Sequence, residues 1–255
     1  MLDDALLSPA HTTAARPPVD GPPVQAPPVR VRTLPGVYGP QTDSWLLAQA
    51  LRREDLDGAR VLDLCTGSGL LAVTAAMSGA ADVVAVDVSR RAVLTARMNL
   101  RRNGARGAVV RGDLVHAVPD GDFDVIVSNP PYVPAEDDAL PTRGQARAWD
   151  AGRDGRLIVD RICTEAPARL APGGRLLMVH SHVCSADRTV ELLEEQGLRA
   201  EVLLRRQLAF GPVMMSRARF LEQAGFVDAD ERHEELVVVR AERPGAADAA
   251  HGRAA

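Results

Sequence analysis

Short apolar segments alternate with helical patterns along most of the chain. A mostly apolar run of four to six residues predicts a buried strand, whereas apolar residues spaced three and four apart predict a helix. Strands are predicted at residues 60–64, 82–86, 108–111, 123–128, 175–180, 199–204 and 235–240. Helices are predicted at residues 70–78, 90–102, 157–170, 186–196 and 217–224. The alternation predicts an α/β fold with a Rossmann-like, doubly wound, mostly parallel sheet of seven strands and an antiparallel strand at one edge.

The two ends of the chain differ in composition from this regular part. Residues 1–36 contain three Pro-Pro pairs, which interrupt regular elements, so we predict a mostly disordered or polyproline-like lead-in. Residues 244–255 are rich in alanine and glycine and predict a disordered tail. One domain is predicted between them, over residues 37–243. Within it, residues 207–234 form a long connection before the last strand.

Composition excludes several classes of function. The 255 residues are 46% apolar, enough for a normal core, and carry a net charge of −4, which does not favour a nucleic-acid binder. All 30 basic residues are arginine, so P-loop and Schiff-base lysines are excluded. The three scattered cysteines predict neither disulfides nor a metal site. They fit a cytoplasmic protein, and no signal peptide or membrane-spanning run of about 18 apolar residues is predicted.

A glycine-containing turn follows the first predicted strand, in residues 63–69 (DLCTGSG). Glycines let the backbone approach a ligand closely, and the start of the next helix offers free N–H groups. The dinucleotide pattern needs a third glycine, but Ala72 stands there, so Gly67 and Gly69 do not predict a dinucleotide site. A plain strand-to-helix turn remains the alternative for this motif alone.

Acidic residues follow the second and third strands. Asp87 lies 20 residues after Gly67, where a carboxylate can accept hydrogen bonds from both ribose hydroxyls of a nucleotide or adenosyl cofactor. Asp113 follows the third strand, where an adenine amino group could bind. A solvated turn residue is the alternative for Asp113.

The most specific motif is Asn129-Pro130-Pro131-Tyr132, directly after the fourth strand. Two prolines fix the backbone and remove two N–H donors. The side-chain oxygen of Asn129 and the carbonyl of Pro130 can then accept both hydrogens of a substrate NH₂ group, and Tyr132 can cover its planar face. We therefore predict that Asn129, Pro130 and Tyr132 are catalytic and that Pro131 helps to bind the substrate. The alternative is that Pro-Pro-Tyr only ends a strand.

Taken in order, these motifs resemble the HemK/PrmC-type protein glutamine methyltransferases. The resemblance covers residues 36–205 and includes residues 37–44 (VYGPQTDS) and 148–155 (AWDAGRDG), which are similar to the short eukaryotic and archaeal branch. It implies the class I methyltransferase fold and S-adenosyl-L-methionine as cofactor. The cofactor-binding residues it implies are Ser44, Asp63, Cys65, Thr66, Gly67, Gly69, Asp87, Val88, Asp113, Leu114 and Asn129.

The resemblance also implies a substrate and a partner: the glutamine of a class-1 release factor, and a small zinc-binding activator subunit. The chain departs from the bacterial enzymes because the segment 1–36 cannot be their N-terminal helical domain. Cys65 also stands where many relatives have glycine. Three other functions remain open: an adenine-N6 methyltransferase acting on a flipped nucleic-acid base, a small-molecule methyltransferase that uses residues 207–234, and a scaffold that binds cofactor without catalysis.

Overall fold

A computed structural model describes residues 29–118 and 121–245. In this part of the chain the strands form one seven-stranded sheet in the order β3-β2-β1-β4-β5-β7-β6. The strands are β1 (Arg60–Leu64), β2 (Asp82–Asp87), β3 (Ala108–Arg111), β4 (Phe123–Ser128), β5 (Leu170–Ser181), β6 (Arg199–Ala209) and β7 (His233–Glu242). Strands β1 to β5 pair in parallel. The predicted Rossmann-like, mostly parallel seven-stranded fold is confirmed.

Helices cover both faces of the sheet. They are α1 (Thr42–Leu51), α2 (Leu70–Met77), α3 (Arg90–Arg102), α4 (Leu157–Glu165), α5 (Ala186–Glu195) and α6 (Pro212–Gln223). One apolar cluster lies between α1, α2, α3 and the sheet, and a second lies between α4, α5 and the opposite face. Because both faces are covered, the central strands carry apolar residues at nearly every position.

Several elements differ from the sequence-based boundaries. Helix α4 ends at Glu165 and not at residue 170, because the residue before Pro167 is disfavoured in a helix and the proline lacks an N–H donor. Strand β5 begins at Leu170, five residues earlier than predicted, with an irregular pairing to β4 before Arg175. Helix α1 was not predicted; five of its apolar residues are buried, which hides the one-sided pattern that marks a surface helix.

The last two strands form an antiparallel pair around the 207–234 connection. Strand β7 is antiparallel to both β5 and β6, so the antiparallel strand lies one position inside the edge, and β6 is the edge strand. The predicted antiparallel pairing is thus present on this side of the sheet, but the last strand does not lie at the edge itself, because the β6–β7 pairing inserts β7 between β5 and β6. Strand β6 extends to Ala209, and helix α6 begins at Pro212, a favourable first helical residue, five residues before the predicted start.

The predicted terminal segments fall largely outside the described residues. Of the lead-in 1–36, residues 29–36 are described. Their backbone forms hydrogen bonds with the side chains of two asparagines, one within α3 and one directly after it. Asn99 and Asn103 each bond both the N–H and the carbonyl of one residue, Arg32 and Arg30 respectively. Of the tail 244–255, only residues 244 and 245 are described. Within the described ranges, no helix is long and apolar enough to cross a lipid bilayer.

Candidate active site

A cavity of about 990 Å³ lies at the carboxyl ends of β1, β2, β3 and β4. Parallel strands bring their carboxyl ends to one edge of the sheet, where ligands bind in doubly wound folds. Most of the residues that the sequence predicts for the cofactor line this cavity: Ser44, Cys65, Thr66, Gly67, Asp87, Val88, Asp113, Leu114 and Asn129. Pro131, predicted to bind the substrate, lines it as well.

Two predicted cofactor residues do not line the cavity. Both support the turn of residues 63–69, whose middle residues do line it. Asp63 is fully buried beneath the turn, where its Oδ2 accepts hydrogen bonds from Thr66 Oγ1 (2.5 Å) and from the Ala72 backbone N–H (3.0 Å). Gly69 packs directly against α3. Cys65 has a φ of 58°, a left-handed conformation that costs a residue other than glycine about 1 kcal/mol. The turn is thus held from below, and its upper surface faces the cavity.

The buried carboxyl of Asp63 makes the stability of the fold depend on pH. Burial raises its pKa to about 7, from a usual value near 3.8. Since the folded-state pKa is the higher one, ionisation costs the folded state free energy, and stability falls as pH rises from about 4 to about 7. Asp63→Asn keeps a hydrogen-bond acceptor without this ionisation. We expect its Tm, relative to that of the wild type, to rise between pH 4 and pH 8 in thermal melts. An equal difference at both pH values would contradict this account.

Two backbone N–H groups hold the carboxylate of Asp87 at the cavity wall. Its Oδ2 accepts from the Gly67 N–H (2.9 Å) and its Oδ1 from the Ser89 N–H (2.8 Å), which fixes the carboxylate at the cavity wall. Burial raises the pKa of Asp87, and these two N–H groups and the nearby Arg147 oppose that rise. Each oxygen of an ionised carboxylate keeps a further lone pair. The arrangement fits the two hydroxyls of an adenosyl ribose.

Asp113 is already bound to an arginine. Arg161 Nη1 and Nη2 approach its two oxygens at 3.1 and 2.8 Å, a bidentate ion pair at the cavity wall. The carboxylate has lone pairs left for an adenine amino group. Apolar side chains suited to a flat base line the same cavity, namely Val88, Leu114 and Ile158. The residues present therefore fit an adenosyl cofactor.

Asn129 lies between the cofactor cavity and a second cavity of about 190 Å³, because it lines both. We call the second one the acceptor cavity. Pro130 and Tyr132 line it, together with Tyr38, Trp149 and residues of the 207–234 connection. The Asn-Pro-Pro-Tyr motif thus lies where a group held in one cavity would meet a group held in the other.

A hydrogen-bond network fixes the Asn129 side chain. Its Nδ2 donates to Asp43 Oδ2 (3.1 Å) and to Ser44 Oγ (3.1 Å). The Tyr132 hydroxyl donates to the same Asp43 oxygen (3.2 Å), and burial raises the pKa of Tyr132 so that it stays protonated. A carboxylate can only accept hydrogen bonds, so the amide nitrogen must face Asp43. The oxygen Oδ1 of Asn129 is therefore on the side away from Asp43 and free to act as an acceptor.

Further contacts hold the loop after β4. The Cys184 thiol donates to the Tyr132 carbonyl (2.8 Å). The Val133 N–H donates to the Trp149 carbonyl (2.7 Å). Arg217 of α6 forms an ion pair with Asp150 and donates to the Pro134 carbonyl (2.6 Å). The 207–234 connection is thus joined directly to the segment that follows the motif.

Some residues of this site were not predicted from the sequence. Asp43 lies directly before the predicted Ser44 in the segment 37–44. The sequence pattern that indicated Ser44 therefore also included Asp43. Arg161 lies on the surface of helix α4 and is not part of any sequence motif. Glu234, which also lines the acceptor cavity, precedes the predicted start of the last strand and had no recognisable signal.

The chain is similar to known methyltransferases in sequence and in structure. The family model described as "Methyltransferase small domain" matches residues 28–143. The "putative protein N5-glutamine methyltransferase" of Methanocaldococcus jannaschii is 33% identical over 189 residues, which is 74% of this chain and 94% of that protein. The release factor glutamine methyltransferase of Bordetella pertussis is 40% identical over 184 residues, 69% of this chain and 67% of its own length.

A solved structure supports the fold. The structure of the E. cuniculi Mtq2–Trm112 complex, responsible for methylation of the termination factor eRF1, aligns with a TM-score of 0.56 at 24% identity. The alignment covers 82% of this chain and 99% of that one. With the archaeal relative covered over almost its whole length, the chain belongs to the HemK-like family of protein N5-glutamine methyltransferases, which are S-adenosyl-L-methionine-dependent enzymes with the class I fold.

Proposed function

We propose that this chain methylates the side-chain amide nitrogen of a glutamine in a protein, with a class-1 release factor as the foremost candidate. The observation that carries the proposal is the orientation of Asn129, whose Oδ1 lies on the side away from Asp43, at the boundary between the two cavities. An amide NH₂ has two hydrogens, and Oδ1 with the Pro130 carbonyl can accept one each. The names of the relatives support glutamine as the acceptor.

The residues of the chain act by positioning and polarisation. The nitrogen of a neutral amide is a poor nucleophile, because its lone pair is delocalised into the carbonyl. Two acceptors on its hydrogens increase electron density at the nitrogen and fix its plane, so that the lone pair points across the boundary near Asn129. Tyr132 covers the planar group. S-Adenosyl-L-methionine, when bound, would supply the electrophilic methyl group, with the N–C bond forming as the sulfonium C–S bond breaks and the nitrogen then losing one of its two protons.

Labelled cofactor and a class-1 release factor test the proposal. We expect label on one glutamine of the release factor, mapped by peptide mass, in assays with and without a small zinc-binding activator subunit. Absence of label from every class-1 release factor under both conditions would overturn the substrate assignment. Label on RNA or DNA in preference to protein would favour an adenine acceptor.

The activator and the compartment belong to the same proposal. An activator subunit is supported by the partner named in the E. cuniculi complex, since that structure aligns over most of this chain. That the subunit is small and binds zinc is what the family resemblance implies. We propose a cytoplasmic location as well, and the relative named for acting on a release factor supports it. Co-purification of such a subunit with this chain tests the first point.

Asp43 is a positioning residue in this scheme, because it acts through Asn129. Asp43→Asn preserves size but replaces one accepting oxygen by a donor, so the Asn129 amide loses its fixed orientation. We expect kcat to fall about tenfold to a hundredfold, whereas the cofactor Kd stays within about threefold because Asp87 and the glycine turn are untouched. Steady-state kinetics and calorimetry measure the two. A loss in cofactor affinity as large as the loss in kcat would assign Asp43 a merely structural role.

A further inference from the structure

The acceptor cavity contains two buried carboxyl groups and, among the described residues that line it, no basic side chain. Asp43 is 4% exposed and Glu234 is 6% exposed. They come from opposite ends of the domain: Asp43 from α1 and Glu234 from β7. Both raise the pKa of Tyr38 and of Tyr132, in addition to the effect of burial, so the four groups are close together.

The two carboxyl groups differ in their hydrogen bonds. Asp43 accepts from the backbone and hydroxyl of Ser44, from Asn129 and from Tyr132. The Oε2 atom of Glu234 is buried and has no hydrogen-bond partner in the described structure. Burial raises the pKa of Glu234, and a hydrogen bond with the Ser181 side chain opposes that rise. A buried carboxylate oxygen without a partner destabilises a fold, so Oε2 leaves one acceptor of this carboxyl for a ligand to complete.

The cavity limits what that ligand can be. Its walls combine polar groups with aromatic and apolar side chains, among them Tyr38, Tyr132, Trp149, and Val213 and Met214 of α6. Its volume of about 190 Å³ is enough for one side chain. If a glutamine side chain fills it, both amide hydrogens are taken by Asn129 and Pro130. The remaining donor close to that side chain is a peptide N–H of the backbone that carries it.

We propose that Glu234 is a specificity-determining residue that accepts a hydrogen bond from a backbone N–H of the acceptor peptide beside the methylated side chain. This inference rests on the proposed function, since it assumes a peptide acceptor. It assigns the β7 end of the cavity to the peptide backbone and the Asn129 end to the reacting amide. An acceptor without that N–H is bound more weakly even when its reacting group is unchanged.

Kinetics with matched variants test the assignment. Glu234→Met preserves size and removes the acceptor, Glu234→Gln retains a neutral acceptor, and Glu235→Met is the control on the neighbouring position, where the carboxylate pairs with Arg205. With a glutamine peptide of the release factor as probe, we expect Glu234→Met to raise KM about tenfold to a hundredfold. Glu234→Gln should raise it less, and Glu235→Met by less than about twofold. The cofactor Kd should be unchanged throughout.

A set of ester-containing peptides locates the hydrogen bond. In each peptide, one backbone N–H near the glutamine is replaced by an ester oxygen. One of these peptides should show a raised KM with the wild type and no further rise with Glu234→Met, since the contact is already lost. An unchanged KM for Glu234→Met, or equal effects of every ester in wild type and variant, would overturn the proposal.

Thermal melts without any acceptor decide the point independently of activity. Glu234→Met should raise Tm, because removing a buried carboxyl whose Oε2 has no partner outweighs the loss of its hydrogen bond with Ser181. Asp43, Tyr38 and Tyr132 face Glu234, and its folded-state pKa lies above the usual 4.5, so ionisation above that pH costs stability. The gain should therefore be larger at pH 8 than at pH 4. A lower Tm at both values would make Glu234 structural and overturn the proposal. If the wild type methylates no glutamine peptide, the proposed function fails, whereas methylation of the peptide with a KM that Glu234→Met leaves unchanged overturns only the role of Glu234.

Discussion

Asn129→Ala is expected to lower kcat about a hundredfold to a thousandfold while the cofactor Kd changes by less than about threefold. The variant removes Oδ1 of Asn129, an acceptor that hydrogen bonds to Asp43 and Ser44 orient at the boundary between the two cavities. Losing one preorganised polar group at a reacting centre typically costs this much, because the group acts on the transition state. The cofactor cavity retains Asp87, Asp113 and the glycine turn. Single-turnover rates and calorimetry measure the two quantities.

An exchange of side chains gives this prediction its control. Asn129→Asp keeps an accepting oxygen but places a second carboxylate against Asp43, with no N–H left to join them. It should therefore be nearly as inactive as Asn129→Ala. Adding Asp43→Asn to Asn129→Asp restores one amide donor and one carboxylate, with their positions exchanged. We expect this double variant to be at least about tenfold more active than Asn129→Asp alone. Full activity of Asn129→Ala would contradict the role given to the motif.

The parts of the fold and site that the sequence predicts are those determined by local pattern. Strands β1, β3 and β4 and helix α3 have the predicted boundaries, because buried apolar runs and turn residues define them within the segment itself. The motif residues meet at one edge because parallel strands end there, a consequence of topology that the strand–helix alternation implies. The cavity-lining positions of Cys65, Asp87 and Asn129 follow from this.

The rest depends on contacts between distant segments. Asp63 was predicted to bind cofactor but lies beneath the turn, where it supports the turn through Thr66 and Ala72. Whether a residue at this position faces the cavity or supports the turn depends on the three-dimensional path of residues 63–72. Asp43 reaches Asn129 across 86 residues of sequence, and Glu234 reaches the same cavity from β7. The position of β7 inside the sheet is set by its pairing with β6 across the 207–234 connection. The hydrophobic periodicity within one segment carries no information about contacts between segments that are distant in sequence.

The largest expected effect on stability comes from Gly69→Ala. Gly69 has a φ of 80°, and an added Cβ would lie 2.8 Å from both Cα and Cβ of Ala96 on α3. The left-handed conformation costs alanine about 1 to 2 kcal/mol, and overpacking against the backbone adds about 1 to 3 kcal/mol. We therefore expect the free energy of unfolding, measured with urea, to fall by roughly 2 to 5 kcal/mol, a large part of the stability of an ordinary domain.

Gly67→Ala separates the two contributions. Gly67 also has a positive φ, of 51°, but an added Cβ would meet nothing closer than the Cys65 carbonyl oxygen at 3.9 Å. Its loss of stability should thus be limited to the conformational cost of about 1 to 2 kcal/mol. Gly67 lines the cofactor cavity and Gly69 does not, so Gly67→Ala should weaken cofactor binding more, relative to its effect on stability. Equal losses of stability in the two variants would show that close packing against Ala96 is not the reason why position 69 requires glycine. A larger loss of stability in Gly69→Ala assigns that glycine to the packing of α2 on α3 and leaves Gly67 as the glycine of the cofactor site.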